Sequence, residues 1–288
     1  MDETRSGALA GKVCLITGAN TGIGRATALE LGRRGARLRL AGRSEERTQP
    51  VLDELRALGE KGGGADVAFI PLDLGSLASV RACAEAFLAR DEPLHVLIAN
   101  AGLAGARGQT EDGFERAFGV NHLGHHLLIR LLEETLVASA PSRIVIVSSK
   151  SHYSAKTLDL EEVRRSTRSL SALDEYAVSK LANVLCAKEL DRRLGDRGVT
   201  AVSLHPGVVA SDVWREVPWP FRSLIKLFMI SNEEGARTTI HCATAPEIPR
   251  QGGQFFDRCR PRTPSPLARD EALARRLWEE SEKMVGLA

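Results

Sequence analysis

Cysteine is scarce in this chain of 288 residues: there are five, at positions 14, 83, 186, 242 and 259. The count is odd and no two form a CxxC pair, so neither a disulfide framework nor a structural zinc site is expected. Most of the five stand in apolar segments and read as small buried hydrophobes in a reducing compartment. Long hydrophobic runs are missing too. No stretch of 18 apolar residues occurs, so no transmembrane segment is expected. The start, Met1 to Gly7, has no basic region leading into an apolar one, which argues against a secretory signal. A cytoplasmic location is the resulting expectation. Nor is there an excess of charge of one sign: 39 Lys and Arg face 37 Asp and Glu, for a net charge of +2. A surface for nucleic acid normally shows a clear basic surplus or a dense cluster, so no nucleic-acid partner is expected. Pairs such as Arg33-Arg34 and Arg192-Arg193 read as solvated helix faces.

Hydrophobic residues make up 43% of the chain, enough for a sizeable core. Short apolar runs at Val13–Thr17, Arg37–Ala41, Val67–Leu72, Val96–Asn100, Ile144–Ser148, Thr200–Leu204 and Gln254–Phe256 read as strands. They are nearly continuous rather than alternating, the habit of parallel strands buried on both faces. Arg37–Ala41 is more polar and is expected nearer an edge. Helical patterns fill roughly 22–34, 44–59, 76–90, 110–138, 173–195, 232–245 and 267–285. This alternation predicts an α/β fold: a Rossmann-type doubly wound parallel sheet of about seven strands, with helices on both faces. No composition break divides residues 1–288. The glycine-rich Glu60–Asp66 and the proline-rich Arg260–Pro266 are short enough to be loops. One domain is expected.

Strand Val13–Thr17 runs into Thr17-Gly18-Ala19-Asn20-Thr21-Gly22-Ile23-Gly24, and a helix follows at once. Glycine permits the tight turn and lets backbone approach a pyrophosphate that a Cβ would repel. The helix start adds unpaired N–H groups and a positive dipole end. Chains that bind NAD usually place an acid about 20 residues further on, for the ribose 2′-hydroxyl. Here Gly42 takes that place and Arg43 follows. A guanidinium can fork onto the 2′-phosphate of NADP, so NADP(H) is the expected cofactor. An ordinary exposed arginine is the plainer alternative.

Tyr176-Ala177-Val178-Ser179-Lys180 puts a phenol and an amine on one helix face. Free tyrosine titrates near 10, too high for efficient proton transfer at neutral pH. A neighbouring ammonium favours the phenolate, so a lowered phenol pKa is expected.

The TGxxxGxG turn and the YxxxK pair, in this order, resemble the short-chain dehydrogenase/reductase family, and the likeness spans about residues 10–257. It implies an oxidoreductase that interconverts a carbonyl and an alcohol by hydride transfer, with Tyr176 as general acid and base. Lys180 would also hold the nicotinamide ribose. Ser149 would orient the substrate oxygen, with Ser148 as its fallback, and Asn121 would help to hold a water that links Lys180 to solvent. Asp73 and Leu74 would meet the adenine, and Asn100-Ala101-Gly102 would line the cofactor. Pro206 and Gly207, with Val209 and Ser211, would face the nicotinamide. Asp73 and Asn100 equally suit turns and caps. Within the family, Thr110–Glu115, Val120-Asn121-His122-Leu123-Gly124-His125, Lys180–Leu185 and His205–Val209 are similar to the retinol dehydrogenase-like branch. The substrate implied is a lipophilic aldehyde or ketone. Members often form dimers or tetramers, so a homo-oligomer is an open expectation. A non-catalytic NADP(H)-binding regulatory protein and a biosynthetic ketoreductase with a dedicated partner are the alternatives.

Two features invite other readings. His122 and His126 stand at i and i+4, but Leu123 occupies the place where HExxH needs glutamate, so no metal is expected. The apolar stretch at about 211–232 is expected to be a substrate lid. Core packing, an oligomer contact and a peripheral bilayer contact are its other readings.

Overall fold

The computed structural model describes residues 9–60, 66–207 and 231–288. Seven parallel strands and one antiparallel strand form a single sheet in the order β3-β2-β1-β4-β5-β6-β7-β8. The parallel strands are β1 (Val13–Thr17), β2 (Arg37–Gly42), β3 (Val67–Pro71), β4 (Val96–Ala99), β5 (Ser142–Val147), β6 (Val199–His205) and β7 (Phe255–Asp257). The eighth, β8 (Arg260–Pro261), was expected to be loop. It is a two-residue edge strand, where the missing proline N–H costs no ladder bond.

Alternation along β1 shows why the apolar runs are continuous. Val13 and Leu15 join one hydrophobic cluster, whereas Cys14 and Ile16 join the other. Successive side chains point to opposite faces, and both faces are covered. One face carries α1 (Gly22–Arg33), α2 (Glu45–Glu60) and α8 (Asn232–Thr244), packed through Leu29, Leu52 and Cys242. The other carries α3 (Leu77–Leu88), α5 (Gly124–Leu131), α7 (Leu173–Leu194) and α9 (Glu271–Met284), through Val80, Leu127, Leu181 and Trp278. The polar strand β2 lies second from the edge, as its composition predicts. Its buried Arg39 is held by Asp66 and Glu92.

The helix expected over 110–138 is divided. Residues 109–115 form a loop closed by a bridge between Gln109 and Glu115. The Glu115 carboxylate then caps the short α4 (Arg116–Phe118) by accepting from Phe118 N. A π-helical turn, Gly119–Leu123, leads into α5, and α6 (Glu133–Ala138) follows. Gly113 has φ +83°, a conformation that interrupts any helix running through it. Apolar periodicity continues across these breaks because the same face stays buried.

The winding reverses between β1 and β4, since one half of the sheet builds outward from β1 through β2 and the other from β4 through β5. The crevice at the carboxyl ends of these strands is where open α/β sheets bind ligands.

Candidate active site

A cavity of about 610 Å³ occupies that crevice. Its walls include Gly18, Asn20, Thr21, Gly22, Ile23, Gly24, Arg43, Asp73, Leu74, Asn100, Ala101, Gly102, Ser149, Tyr176, Lys180, Pro206 and Gly207. Residues separated by up to 189 positions in the chain, Gly18 and Gly207, thus meet at one site. Val209, Ser211 and nearly all of the expected lid lie outside the described residues.

At one end the turn after β1 is shaped for close approach. Gly18 has φ +69°, and a Cβ there would press on Ala101. A Cβ at Gly24 would collide with the Gly18 carbonyl and the Asn100 amide. Thr21 stands at the N-cap of α1 in an extended conformation without a side-chain cap, and the first turn holds no acidic residue. The first N–H groups of α1 therefore keep their capacity for an anion. These features fit the pyrophosphate of a dinucleotide.

Beside the turn, β2 ends at Gly42, and Arg43, Ser44, Arg47 and Thr48 also line the cavity. No acid stands among them. Arg47 was not anticipated, although its i+4 spacing from Arg43 on the start of α2 was a legible signal. Ser44 caps α2 by accepting from Arg47 N and fixes where Arg47 begins. Glu111, Arg116, Lys150, Ser151 and His205 are further unanticipated wall residues. They arrive from loops and strand ends whose meeting has no local sequence mark.

Asn100 turns inward. Its Nδ2 donates to the carbonyls of Thr17 (2.8 Å) and Gly18 (3.2 Å), so its amide holds the glycine turn in shape. Asp73 also shapes backbone, since its Oδ1 accepts from Gly75 N at 2.9 Å. Asn121 is buried behind Gly102 rather than lining the cavity. Its Nδ2 donates to Leu103 O (3.0 Å) and Ser179 Oγ (2.9 Å), and its Oδ1 accepts from Leu103 N (2.9 Å). The side chain is consumed in joining the loop after β4 to α7.

At the other end, α7 presents Tyr176 and Lys180 one turn apart, and both are buried. Lys180 Nζ lies 5.6 Å from the centroid of the Tyr176 ring and donates to Val147 O at 2.9 Å. Ser149 caps the turn after β5: its Oγ accepts from Ser151 N at 3.1 Å, and it hydrogen-bonds to Tyr176. Ser148, the fallback, instead donates to Lys180 O at 2.7 Å. The adjacent serines therefore divide: Ser149 faces the cavity and Ser148 fastens β5 to α7.

The expected lowering of the phenol pKa is not what the protein alone provides. Burial pushes Tyr176 up to about 12, only partly offset by the hydrogen bond with Ser149. Burial pushes Lys180 down to about 7. Both charged forms lose water, and the amine lies over the ring. At neutral pH the phenol holds its proton, so this arrangement can donate one to an oxyanion formed in the cavity.

Comparison with known proteins matches this architecture. A short chain dehydrogenase family profile covers residues 12–158. The chain is 43% identical to human dehydrogenase/reductase SDR family member 13 over 287 residues, 98% of this chain and 75% of that protein. It is 43% identical to mouse retinol dehydrogenase 12, over 96% of this chain and 87% of that protein. The crystal structure of an uncharacterized protein from Mycobacterium paratuberculosis superposes with a TM-score of 0.75 at 32% identity, covering 96% of this chain and 94% of that one. The chain belongs to the short-chain dehydrogenase/reductase family, oxidoreductases that use a nicotinamide cofactor to interconvert alcohols and carbonyls, and falls with its retinol dehydrogenase-like branch.

Proposed function

We propose that the protein is an NADP(H)-dependent reductase of a lipophilic aldehyde or ketone. The observation that carries this reading is a single cavity with the uncapped glycine turn at one end and Tyr176, Lys180 and Ser149 at the other. Gly42 in place of a carboxylate, with Arg43 and Arg47 beside it, favours NADP(H) over NAD(H). The name of the mouse relative, a retinol dehydrogenase, supports a lipophilic substrate.

A reduced nicotinamide, when bound, supplies hydride. The chain's own residues do the rest. The backbone of the Thr17–Gly24 turn and the start of α1 hold the phosphates. Ser149 Oγ and the Tyr176 hydroxyl bind the carbonyl oxygen. Tyr176 gives its proton to that oxygen as negative charge develops, and Lys180 steadies the resulting phenolate through its charge. With its pKa raised by burial, the phenol carries its proton at neutral pH, the form that reduction requires.

The test is an NADPH-oxidation screen over aliphatic aldehydes, retinal, steroid ketones and quinones, with NADH in parallel. Turnover with NADPH that vanishes in Tyr176→Phe while NADPH still binds supports the reading. NADPH binding with no turnover of any carbonyl points to a binding protein on the same fold.

A further inference from the structure

We infer that His125, as the neutral tautomer protonated at Nδ1, is a positioning residue that sets the glycine turn against the helix carrying Tyr176 and Lys180. The inference rests on the proposed function and adds a residue that lies outside the cavity wall.

The shortest contacts favour one proton arrangement. His125 is buried in α5, with Nδ1 3.1 Å from the Asn121 carbonyl and Nε2 2.9 Å from Thr17 Oγ1. A carbonyl oxygen only accepts, so Nδ1 carries the proton. A neutral ring then offers a lone pair at Nε2, and the Thr17 hydroxyl donates to it. The same hydroxyl oxygen accepts from Asn100 N and Ala101 N, both at 3.0 Å. Its one proton has Ile98 O within 3.5 Å as well, but Nε2 at 2.9 Å is the nearer acceptor, and both acceptor sites of the oxygen are used. Burial, with Lys180 nearby, holds His125 down to about 4, in keeping with a neutral ring.

The chain of bonds continues past the ring. The Asn121 amide donates to Ser179 Oγ, which donates to Tyr176 O at 2.8 Å. Thr17 is the last residue of β1 and the first of the glycine turn. One connected path therefore runs from that turn through His125 and Asn121 to the backbone of Tyr176. Each link has a fixed donor and a fixed acceptor, so the path sets a distance. Buried networks specify geometry in this way when every member is satisfied. His125 stands between His122 and His126, the pair whose spacing alone would suit a metal. Each has another partner: Thr17 for His125, Ser281 for His122 and Glu282 for His126.

Three variants of the full chain test the inference, with NADPH binding read from tryptophan fluorescence. His125→Phe keeps a flat ring, slightly larger, and removes both polar atoms. It should raise the NADPH Kd about tenfold, the scale of one buried hydrogen bond, and leave the carbonyl KM unchanged. His125→Gln keeps an acceptor within reach of the Thr17 hydroxyl and should recover most of the affinity. Thr17→Val combined with His125→Phe should bind no more weakly than the worse single variant, since both remove one link. A further readout is free of any variant. Histidine ¹⁵N spectra of the wild type at pH 7 should show His125 protonated at Nδ1 and bare at Nε2, as they should for His152, whose Nδ1 faces Ser149 O and whose Nε2 accepts from Ser265 N. In His125→Gln one of these two signals should be lost and that of His152 should remain. A folded His125→Phe protein with wild-type NADPH affinity overturns the inference, as does a His125 ring protonated at Nε2. If His125→Phe does not fold, the Gln variant and the wild-type spectrum decide. Wild-type protein that binds neither NADPH nor NADH overturns the functional reading instead, a result distinct from wild-type and His125→Phe proteins that bind equally well.

Discussion

Lys180 Nζ stands over the face of the Tyr176 ring, 5.6 Å from its centroid, while donating to the carbonyl of Val147. The amine is held by backbone of β5, the strand that also delivers Ser149. The spacing of the two side chains is thus set by the sheet as well as by their shared helix. Tyr176→Phe removes the proposed proton donor and little else. Its kcat should fall by about 10² to 10⁴, the range for losing a positioned general acid, while the NADPH Kd stays within about twofold. Stopped-flow turnover and fluorescence titration check both. An equal loss of binding and turnover would mean that the hydroxyl shapes the cofactor site.

Lys180 also makes stability depend on pH. Its ordinary value is 10.5, and burial brings it to about 7 in the folded chain. Between those values the unfolded chain holds a proton that the folded chain lacks. Stability therefore rises with pH from about 7 toward 10.5, and the cost of the buried charge is fully present below 7. Lys180→Met should be more stable than the wild type at pH 6, by an amount on the order of a few kcal/mol. The difference should shrink as pH approaches 10. Val147 O keeps the Asn183 amide as a partner at 3.4 Å in the variant. Chemical denaturation of both proteins across pH 6 to 10 measures the gap, and a gap that does not change with pH excludes the linkage.

The proposed preference for NADP(H) rests on Gly42. An added Cβ there would meet Phe69 at 3.8 Å and Thr48 Oγ1 at 4.0 Å, both ordinary contacts, so the backbone at Gly42 accepts a side chain. A carboxylate at the end of β2 would repel a 2′-phosphate and accept from a 2′-hydroxyl. The ratio of kcat/KM for NADPH to that for NADH should fall by roughly 10² or more, the worth of a like-charge contact exchanged for a charged hydrogen bond. Arg43→Ala and Arg47→Ala should each raise the KM for NADPH and leave that for NADH nearly unchanged. Steady-state kinetics with both cofactors tests all three, and an unchanged ratio in Gly42→Asp removes the basis for assigning NADP(H).

The parts of this site that the sequence discloses are those built from neighbours in the chain. The glycine turn needs one strand, one loop and one helix start in succession, and Tyr176 and Lys180 need one helical turn. Arg47 stood within reach of the same logic. Asn121 and Asn100 show the limit. Besides the roles expected of them, their amides are bound to backbone at Leu103, Thr17 and Gly18, contacts that the sequence does not announce. Only the approach of β4 to β1 and of the π-helical turn to the loop after β4 produces those bonds. His205 is similar: its Nδ1 accepts from Lys150 N at 3.2 Å, a meeting of β6 with the segment after β5 that no spacing encodes. The division of the helix at 116–138 escapes for a different reason. Residues 117–129 are buried on nearly every side, so the residue that the π-turn adds shifts no visible apolar stripe.

The C-terminal helix α9 provides a stability test far from the cavity. Glu282 accepts from His126 Nε2 at 2.7 Å and pairs with Arg130 at 3.0 Å, tying α9 to α5. Burial holds His126 below its usual value, so at neutral pH the ring donates a hydrogen bond and Arg130 carries the positive charge. Burial raises the Glu282 carboxyl, but these two partners outweigh it and bring it from 4.5 to about 2. The folded state thus favours the carboxylate. The stabilisation is present above about 4.5 and is lost as pH falls toward 2. Glu282→Gln keeps an acceptor but no charge, so at pH 7 it should cost on the order of 3 kcal/mol. Near pH 2.5 the variant and the wild type should differ far less. Because the Arg130 and Arg193 guanidiniums stand 5.3 and 4.6 Å from the Trp278 ring, loosening α9 should also change its fluorescence. A penalty in Glu282→Gln that persists unchanged to pH 2.5 would show that shape rather than charge fastens this helix.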